Sequence, residues 1–228
     1  MALWLLGTGK VDVNRGCEDL CDWVANGIRP LHYAVQQDDI SIVQSLLEHT
    51  AIDVDAQDNR GQTPLHKAAC ALQADYVKLL LETGKVNVNA TTRWLSTPLH
   101  NVFEPAGGYS DRGDRHMTPL VELLLASQNI DVTIGNEAGD TPLHLAMTKH
   151  PEVVQLLLNR GADMRAKNKL NRTPIEKVIR TGRSDIVKML CETGMLALAG
   201  DEFTALKRLA SECRYGKVLE VLTSYERR

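Results

Sequence analysis

The tetrapeptide TPLH stands at Thr63–His66, and the same four residues return at Thr97–His100 and Thr141–His144. Around the first copy the chain runs DNRGQTPLHKAACALQADYVKLLLETG, from Asp58 to Gly84. Threonine is a good helix N-cap, and proline fits the first helical turn, where its missing N–H is not needed. Val77, Leu80 and Leu81 follow at i, i+3 and i+4, the spacing of one apolar stripe on a helix. Between them Ala68 and Ala69 are small enough to let a second helix approach closely. The stretch therefore predicts helix, turn, helix.

The pattern repeats along the chain. Pro30, Pro64, Pro98, Pro142 and Pro174 are separated by 34, 34, 44 and 32 residues. From Arg29 the same offsets reach Val43, Leu46 and Leu47, and from Thr173 they reach Val187, Leu190 and Cys191. The long step holds ten added residues within Glu104–Met117 (EPAGGYSDRGDRHM), which read as a surface loop between two helices. A helix pair of this kind cannot bury its stripe alone, so neighbouring units must stack.

Bulk composition narrows the function. The 228 residues carry a formal charge of -3, with 43% hydrophobic and 24% charged residues, which excludes a strongly basic nucleic-acid binder. Aromatics are only 4%, so the core must rest on Leu, Val, Ile and Ala. Five scattered cysteines (Cys17, Cys21, Cys70, Cys191, Cys213) form no disulfide framework and point to a reducing, cytoplasmic compartment, with the nucleus second. The opening MALWLLGTGK has an apolar run too short for a signal peptide or a membrane span.

TPLHKAA at Thr63–Ala69, TPLHLA at Thr141–Ala146 and RGAD at Arg160–Asp163 resemble the ankyrin repeat, over roughly residues 28–195. The resemblance implies an all-α solenoid of helix-turn-helix units joined by short β-hairpin-like finger loops. The chain then divides into a partial leading repeat with a long finger (1–27), repeats at 28–61, 62–95, 96–139, 140–171 and 172–202, and a C-terminal cap (203–228). LLGTGKVDVN at Leu5–Asn14 matches LLETGKVNVN at Leu80–Asn89, and Thr204, Leu206, Val218 and Leu222 match Thr63, Leu65, Val77 and Leu81 in offset. Three departures are expected to matter. Arg29 and Ile175-Glu176 break the tetrapeptide, and Leu95 replaces the glycine of Gly61 and Gly139, which predicts a distorted finger there.

His32, His66, His100 and His144 occupy one position of the period. A catalytic histidine is not needed four times at fixed spacing, so these rings read as structural. In the resembled family the ring bridges the threonine hydroxyl (Thr63, Thr97 and Thr141 here) and neighbouring backbone. No catalytic, metal or cofactor site is expected. Cys70 has no partner base in the sequence. Cys17 and Cys21 form a single pair, whereas zinc usually asks for two. Arg112-Gly113-Asp114 is a tripeptide that arises by chance, and no phosphate loop, HExxH motif or nucleophile elbow is present.

The resemblance implies a non-enzymatic module that binds another protein on a concave face of finger tips and first helices, as adaptor, inhibitor or recruitment factor. By register the contact residues are Trp23, Tyr33, Gln57, Asn59, Arg60, Lys67, Arg93, Trp94, Asn101, Glu137, Asp140, Lys169 and Arg172. Trp94 has two readings, a partner contact or packing against the neighbouring finger. Residues 160–188 hold nine Lys or Arg against three acidic residues, which makes an acidic or phosphate-bearing partner the alternative. A free monomer is expected. Such modules also resemble proteins that bacteria and viruses deploy inside host cells.

Overall fold

Each helix pair begins with a bond that threonine and histidine make reciprocally. Thr63 is extended (φ −90°, ψ 167°), Pro64 opens the helix, and the Thr63 hydroxyl accepts the His66 N–H. The His66 ring in turn accepts the Thr63 N–H at 3.1 Å, a capping box with imidazole in place of the usual Glu or Gln. Thr97–His100 and Thr141–His144 repeat it. Thr173 makes the same box with Glu176, whose carboxylate takes the Thr173 N–H at 3.1 Å. Arg29 supplies no hydroxyl, but its N–H still reaches His32 Nδ1 at 3.2 Å.

The computed structural model describes residues 13–14, 27–37, 39–104, 117–149, 151–196 and 200–226. Trp23, Cys17, Cys21, most of the leading half-repeat and nearly all of the 104–117 insertion lie outside the described residues. The described residues contain helices and no strand. The chain forms two compact units, 1–131 and 132–228.

The first unit holds α1 (Pro30–Gln36), α2 (Ile40–Leu47), α3 (Pro64–Cys70), α4 (Ala74–Glu82), α5 (Pro98–Phe103) and α6 (Met117–Leu125). Within it α3 packs between α1 and α5, while α4 packs between α2 and α6, so first helices stack on first helices and second on second. Ala34, Ala68 and Ala69 are fully buried, which is what lets the first helices close up. Val43, Val77, Leu80, Leu120 and Leu124 form the stripe on the second helices, again fully buried. Truncating such a leucine to alanine typically costs 2–5 kcal/mol.

The second unit holds α7 (Pro142–Ala146), α8 (Pro151–Asn159), α9 (Pro174–Thr181), α10 (Ser184–Glu192), α11 (Gly200–Glu212) and α12 (Gly216–Glu226). Here α9 lies between α7 and α11, and α10 between α8 and α12. Leu206, Val218 and Leu222 are buried at the offsets read from the sequence. Thr204, however, does not start its helix. α11 begins at Gly200, and the Thr204 hydroxyl donates to the Gly200 carbonyl from inside the helix at 2.9 Å. Tyr215 lies against Gly182, leaving no room there for a side chain.

Asparagine side chains tie successive repeats of the first unit together. Asn14 donates to the Ala51 carbonyl (2.7 Å) and accepts the Asp53 N–H (2.7 Å). Asn89 does the same to Asn129 (2.6 Å) and Asp131 (2.9 Å), so the matched LLGTGKVDVN and LLETGKVNVN segments end on one joint.

The finger at Leu95 corrects the sequence expectation. Leu95 takes the left-handed φ of +58°, close to +73° at Gly61 and +75° at Gly139, and the turn closes through the same bonds. The Thr92 N–H reaches the Ser96 carbonyl and the Leu95 N–H reaches that of Thr92, both at 2.9 Å. The turn is kept, and the cost falls on a leucine held where L-residues lose about 1–2 kcal/mol. Gly61 is constrained twice, because a Cβ there meets the Arg93 backbone nitrogen at 2.9 Å. Leu95→Gly should therefore stabilise the first unit by about 1 kcal/mol, whereas Gly61→Ala should destabilise it by about 2 kcal/mol or more. Urea unfolding followed by tryptophan fluorescence reads this directly, because Trp4, Trp23 and Trp94 all fall in residues 1–131. A destabilising Leu95→Gly would contradict the strained-turn account.

Candidate functional site

The fingers are built on one side-chain acceptor five residues ahead of each N-cap threonine, buried at Asp58 and Thr92 and half-buried at Asn136 and Asn168. Asp58 Oδ1 takes the N–H groups of Arg60 (2.8 Å) and Gln62 (2.9 Å). Thr92 takes those of Trp94 (3.3 Å) and Ser96 (3.2 Å), Asn136 those of Ala138 and Asp140 (3.0 Å each), and Asn168 those of Leu170 (2.9 Å) and Arg172 (3.1 Å). Short polar side chains that bond their own backbone two residues on are what makes such turns. These four residues escaped the sequence reading; the signal was an Asp, Asn or Thr at a constant offset from each Thr-Pro. Within each unit neighbouring fingers also touch through backbone, Arg93 N–H to the Arg60 carbonyl (3.0 Å) and Lys169 N–H to that of Ala138 (2.9 Å).

The histidines join a helix start to the finger of the next repeat. Because Nδ1 of His66 accepts from Thr63 N–H, its Nε2 must carry the proton, and it donates to the Ser96 carbonyl at 3.0 Å. His32 reaches the Gln62 carbonyl (2.8 Å) and His144 that of Arg172 (3.1 Å) in the same way. All of these rings, and that of His100, are fully buried. Burial pushes the His66 imidazole down to about 4, although the Ser96 carbonyl and the Asp58 carboxylate favour its charged form. Burial likewise lowers His32 and His144.

The register positions proposed from sequence meet different fates. Gln57, Asn59, Arg60, Arg93, Trp94, Glu137, Lys169 and Arg172 are exposed on the fingers. Trp94 is 48% exposed and Leu95 beside it 49%. Arg60 and Arg93 flank them, and neither guanidinium has an ion pair among the described residues. Tyr33 is half-buried on α1. Lys67 is held by Asp58 (2.9 Å) and Gln62 (2.6 Å), and Asp140 by Lys177 (3.1 Å) and Asn168 (2.6 Å). Burial works to raise the Asp58 carboxyl, but Lys67 and the finger N–H groups outweigh it and hold it below its ordinary value. Asn101 is buried on α5. Trp23 lies outside the described residues.

In the basic stretch four cations are ion-paired: Lys177 with Asp140, Arg183 with Asp185, Arg165 with Glu202 and Lys188 with Glu192. Lys167, Lys169, Arg172 and Arg180 are exposed, with no side-chain partner among the described residues. The stretch is therefore not uniformly bare; three of these four open cations share one finger, and Arg180 lies on α9. Cys70 is buried, its thiol 3.9 Å from the Glu104 carbonyl, and burial pushes the Cys191 thiol up to about 11. Neither is arranged as a nucleophile. Among the described residues no group of three His, Cys, Asp or Glu is placed to hold a metal ion, and no helix is long and apolar enough to cross a membrane.

Comparison with known proteins bears on this arrangement. The family described as ankyrin repeats (3 copies) matches residues 1–92, and that described as ankyrin repeat matches residues 138–169, together more than half of the chain. An ankyrin repeat protein of Acanthamoeba polyphaga mimivirus is 33% identical over 90 residues, 38% of this chain and 55% of its own length. One from Rickettsia bellii is 28% identical over 74 residues (32% and 41%), and YahD, an ankyrin repeat protein of Escherichia coli, is 35% identical over 81 (33% and 40%). The chain thus spans about half the length of these relatives or less.

The buried neutral rings make stability depend on pH with a definite sign. A ring whose folded pKa lies below 6.5 binds its proton more readily in the unfolded chain, so stability is complete above pH 6.5 and falls toward pH 4. From pH 7 to pH 5, His66 alone should remove about 2 kcal/mol from the first unit. His66→Gln should be less stable at pH 7 yet lose correspondingly less on acidification, as read by urea midpoints at the two pH values. A variant as acid-sensitive as the parent would exclude the ring as the source.

Proposed function

This chain belongs to the ankyrin-repeat family, and from that premise we propose that it binds a partner protein through its exposed finger tips. Ankyrin repeats are in general protein–protein interaction modules, and the family is not a catalytic one. The observation that carries the finer reading is Trp94. It stands 48% exposed on a finger tip, beside exposed Leu95 and the unpaired cations Arg60 and Arg93. Large aromatics and arginines dominate interface energetics, and this one is held by a turn whose Leu95 is strained. Strain kept at an exposed apolar pair points to use of that pair.

The partner surface that fits is an apolar pocket with a carboxylate rim, the counterpart of Trp94 and Leu95 between two guanidinium groups. Adaptor, inhibitor and effector within a host cell all remain uses of such a surface. The half-buried or buried positions Lys67, Asp140 and Asn101 serve the repeat stack in this reading, since their polar groups are engaged or enclosed.

Arg60→Ala, Arg93→Ala and Trp94→Ala together should remove specific partners from an affinity capture while leaving helix content and the unfolding midpoint unchanged. A control pair on the second helices, Lys78→Ala with Glu122→Ala, should retain them; both side chains are exposed on α4 and α6. Partners lost equally from both variants, or from neither, would overturn the finger-tip assignment.

A further inference from the structure

Among the described residues the finger Lys167–Arg172 has no successor. At two other fingers the tip carbonyl is taken by the next finger: Arg60 by the Arg93 N–H and Ala138 by that of Lys169. Leu170 holds the equivalent place, three residues ahead of its N-cap threonine, and among the described residues no N–H reaches its carbonyl. The cause is the early start of α11 at Gly200, which absorbs into helix residues that elsewhere form a finger. Two sequence departures agree with this. Asn171 (φ +57°) replaces Gly61 and Gly139, where an added Cβ would strike the next finger at 2.9 Å. Glu176 keeps the capping box of the histidines but has no finger carbonyl to hold, and does not need an Nε2–H.

Beside the open edge lies a cavity of about 360 Å³, between the base of this finger and α11. That falls within the roughly 300–1,000 Å³ usual for ligand sites. Met164, Ile175, Met195 and Leu206 give it an apolar wall, and Ala205 stands at its exposed side on α11. Two methionines make such a wall adaptable to the shape of a guest. Of its three carboxylates Glu202 pairs with Arg165 (3.4 Å), while Asp163 and Glu176 keep their charge and accept the backbone N–H groups of Arg165 (2.8 Å) and Thr173 (3.1 Å). The finger itself carries only cations, Lys167 on the cavity wall with Lys169 and Arg172, and none of the three has a side-chain partner among the described residues. Leu170, 66% exposed, caps the finger.

We infer that the open finger edge and this cavity together form a docking site for an extended acidic peptide segment of a partner protein. The segment stands in for the missing finger. Its backbone N–H donates to the Leu170 carbonyl, one bulky apolar side chain enters the cavity, and flanking carboxylates meet Lys167, Lys169 and Arg172. Main-chain bonds to an open edge supply affinity in such binding and the pocket supplies specificity. The site lies wholly in the second unit and does not rest on Arg60, Arg93 or Trp94.

The test uses the full chain and short blocked peptides, followed by amide chemical shifts. Acetyl-Asp-Asp-Leu-Asp-Asp-amide should move the resonances of residues 164–172 and 205–206. It should bind about tenfold or more tightly than the same peptide with serine for leucine, with the leucine amide N-methylated, or with lysine for aspartate. Ala205→Trp, an exposed position that plugs the cavity, should abolish the shifts with the fold intact, as should Lys167→Glu combined with Lys169→Glu. Arg60→Ala, Arg93→Ala and Trp94→Ala together should leave them unchanged, which separates this site from the finger-tip surface. No shifts at millimolar peptide, equal binding of the leucine and serine peptides, or undiminished binding to Ala205→Trp would overturn the inference.

Discussion

A buried imidazole has two nitrogens, and both must be bonded if the ring is to leave water. In these repeats Nδ1 is committed to the N-cap of its own helix, which leaves Nε2–H pointing out of the repeat. The group it finds is a finger carbonyl 30 residues on for His32 and His66, and 28 for His144. One side chain thereby sets where a helix starts, which way the ring faces and how far away the next repeat lies. The fully buried alanines and the leucine stripe supply the apolar burial, but without a directional link they would tolerate sliding. The ring also has to stay neutral, which ties the integrity of the stack to pH.

That dependence explains why so much of the fold could be read from the chain. Thr-Pro at a constant period marks helix starts by local chemistry, and the stripe at i, i+3 and i+4 follows from helix geometry; the structure keeps both, with Leu47 and Leu81 at the i+4 place only half-buried. Leu206, Val218 and Leu222 were placed the same way, although their helix begins at Gly200 instead of at Thr204. What a single register position does was less legible. Tyr33, Lys67, Asn101 and Lys177 share one, yet Lys67 is held by Asp58, Lys177 by Asp140, and Asn101 is enclosed. Which of these happens depends on what the neighbouring finger offers, and an offset carries no information about that. Leu95 shows the complementary point. The finger bonds were strong enough to hold a leucine in glycine's conformation, so the departure changed cost and not shape.

The candidate surfaces arise where the regular pattern is least needed. Finger tips project beyond the acceptors that build them, so Arg60, Arg93, Trp94 and Leu170 can vary without touching the stack. The finger between α8 and α9 is a different case, since among the described residues no finger follows it, which leaves an unused carbonyl at Leu170, a cavity, and a finger whose only charges are cations. Glu176 in place of histidine and Asn171 in place of glycine mark that position in the sequence itself. Departures from the repeat are therefore of two kinds, those that the backbone absorbs and those that record a missing neighbour.

The state of the bridging ring is tested most directly by long-range proton–nitrogen correlation of the His66 side chain. A neutral ring protonated only at Nε2, unchanged from pH 7 down to pH 5, is the predicted result. Protonation at Nδ1, or a ring that takes up its second proton near pH 6.5, would contradict it.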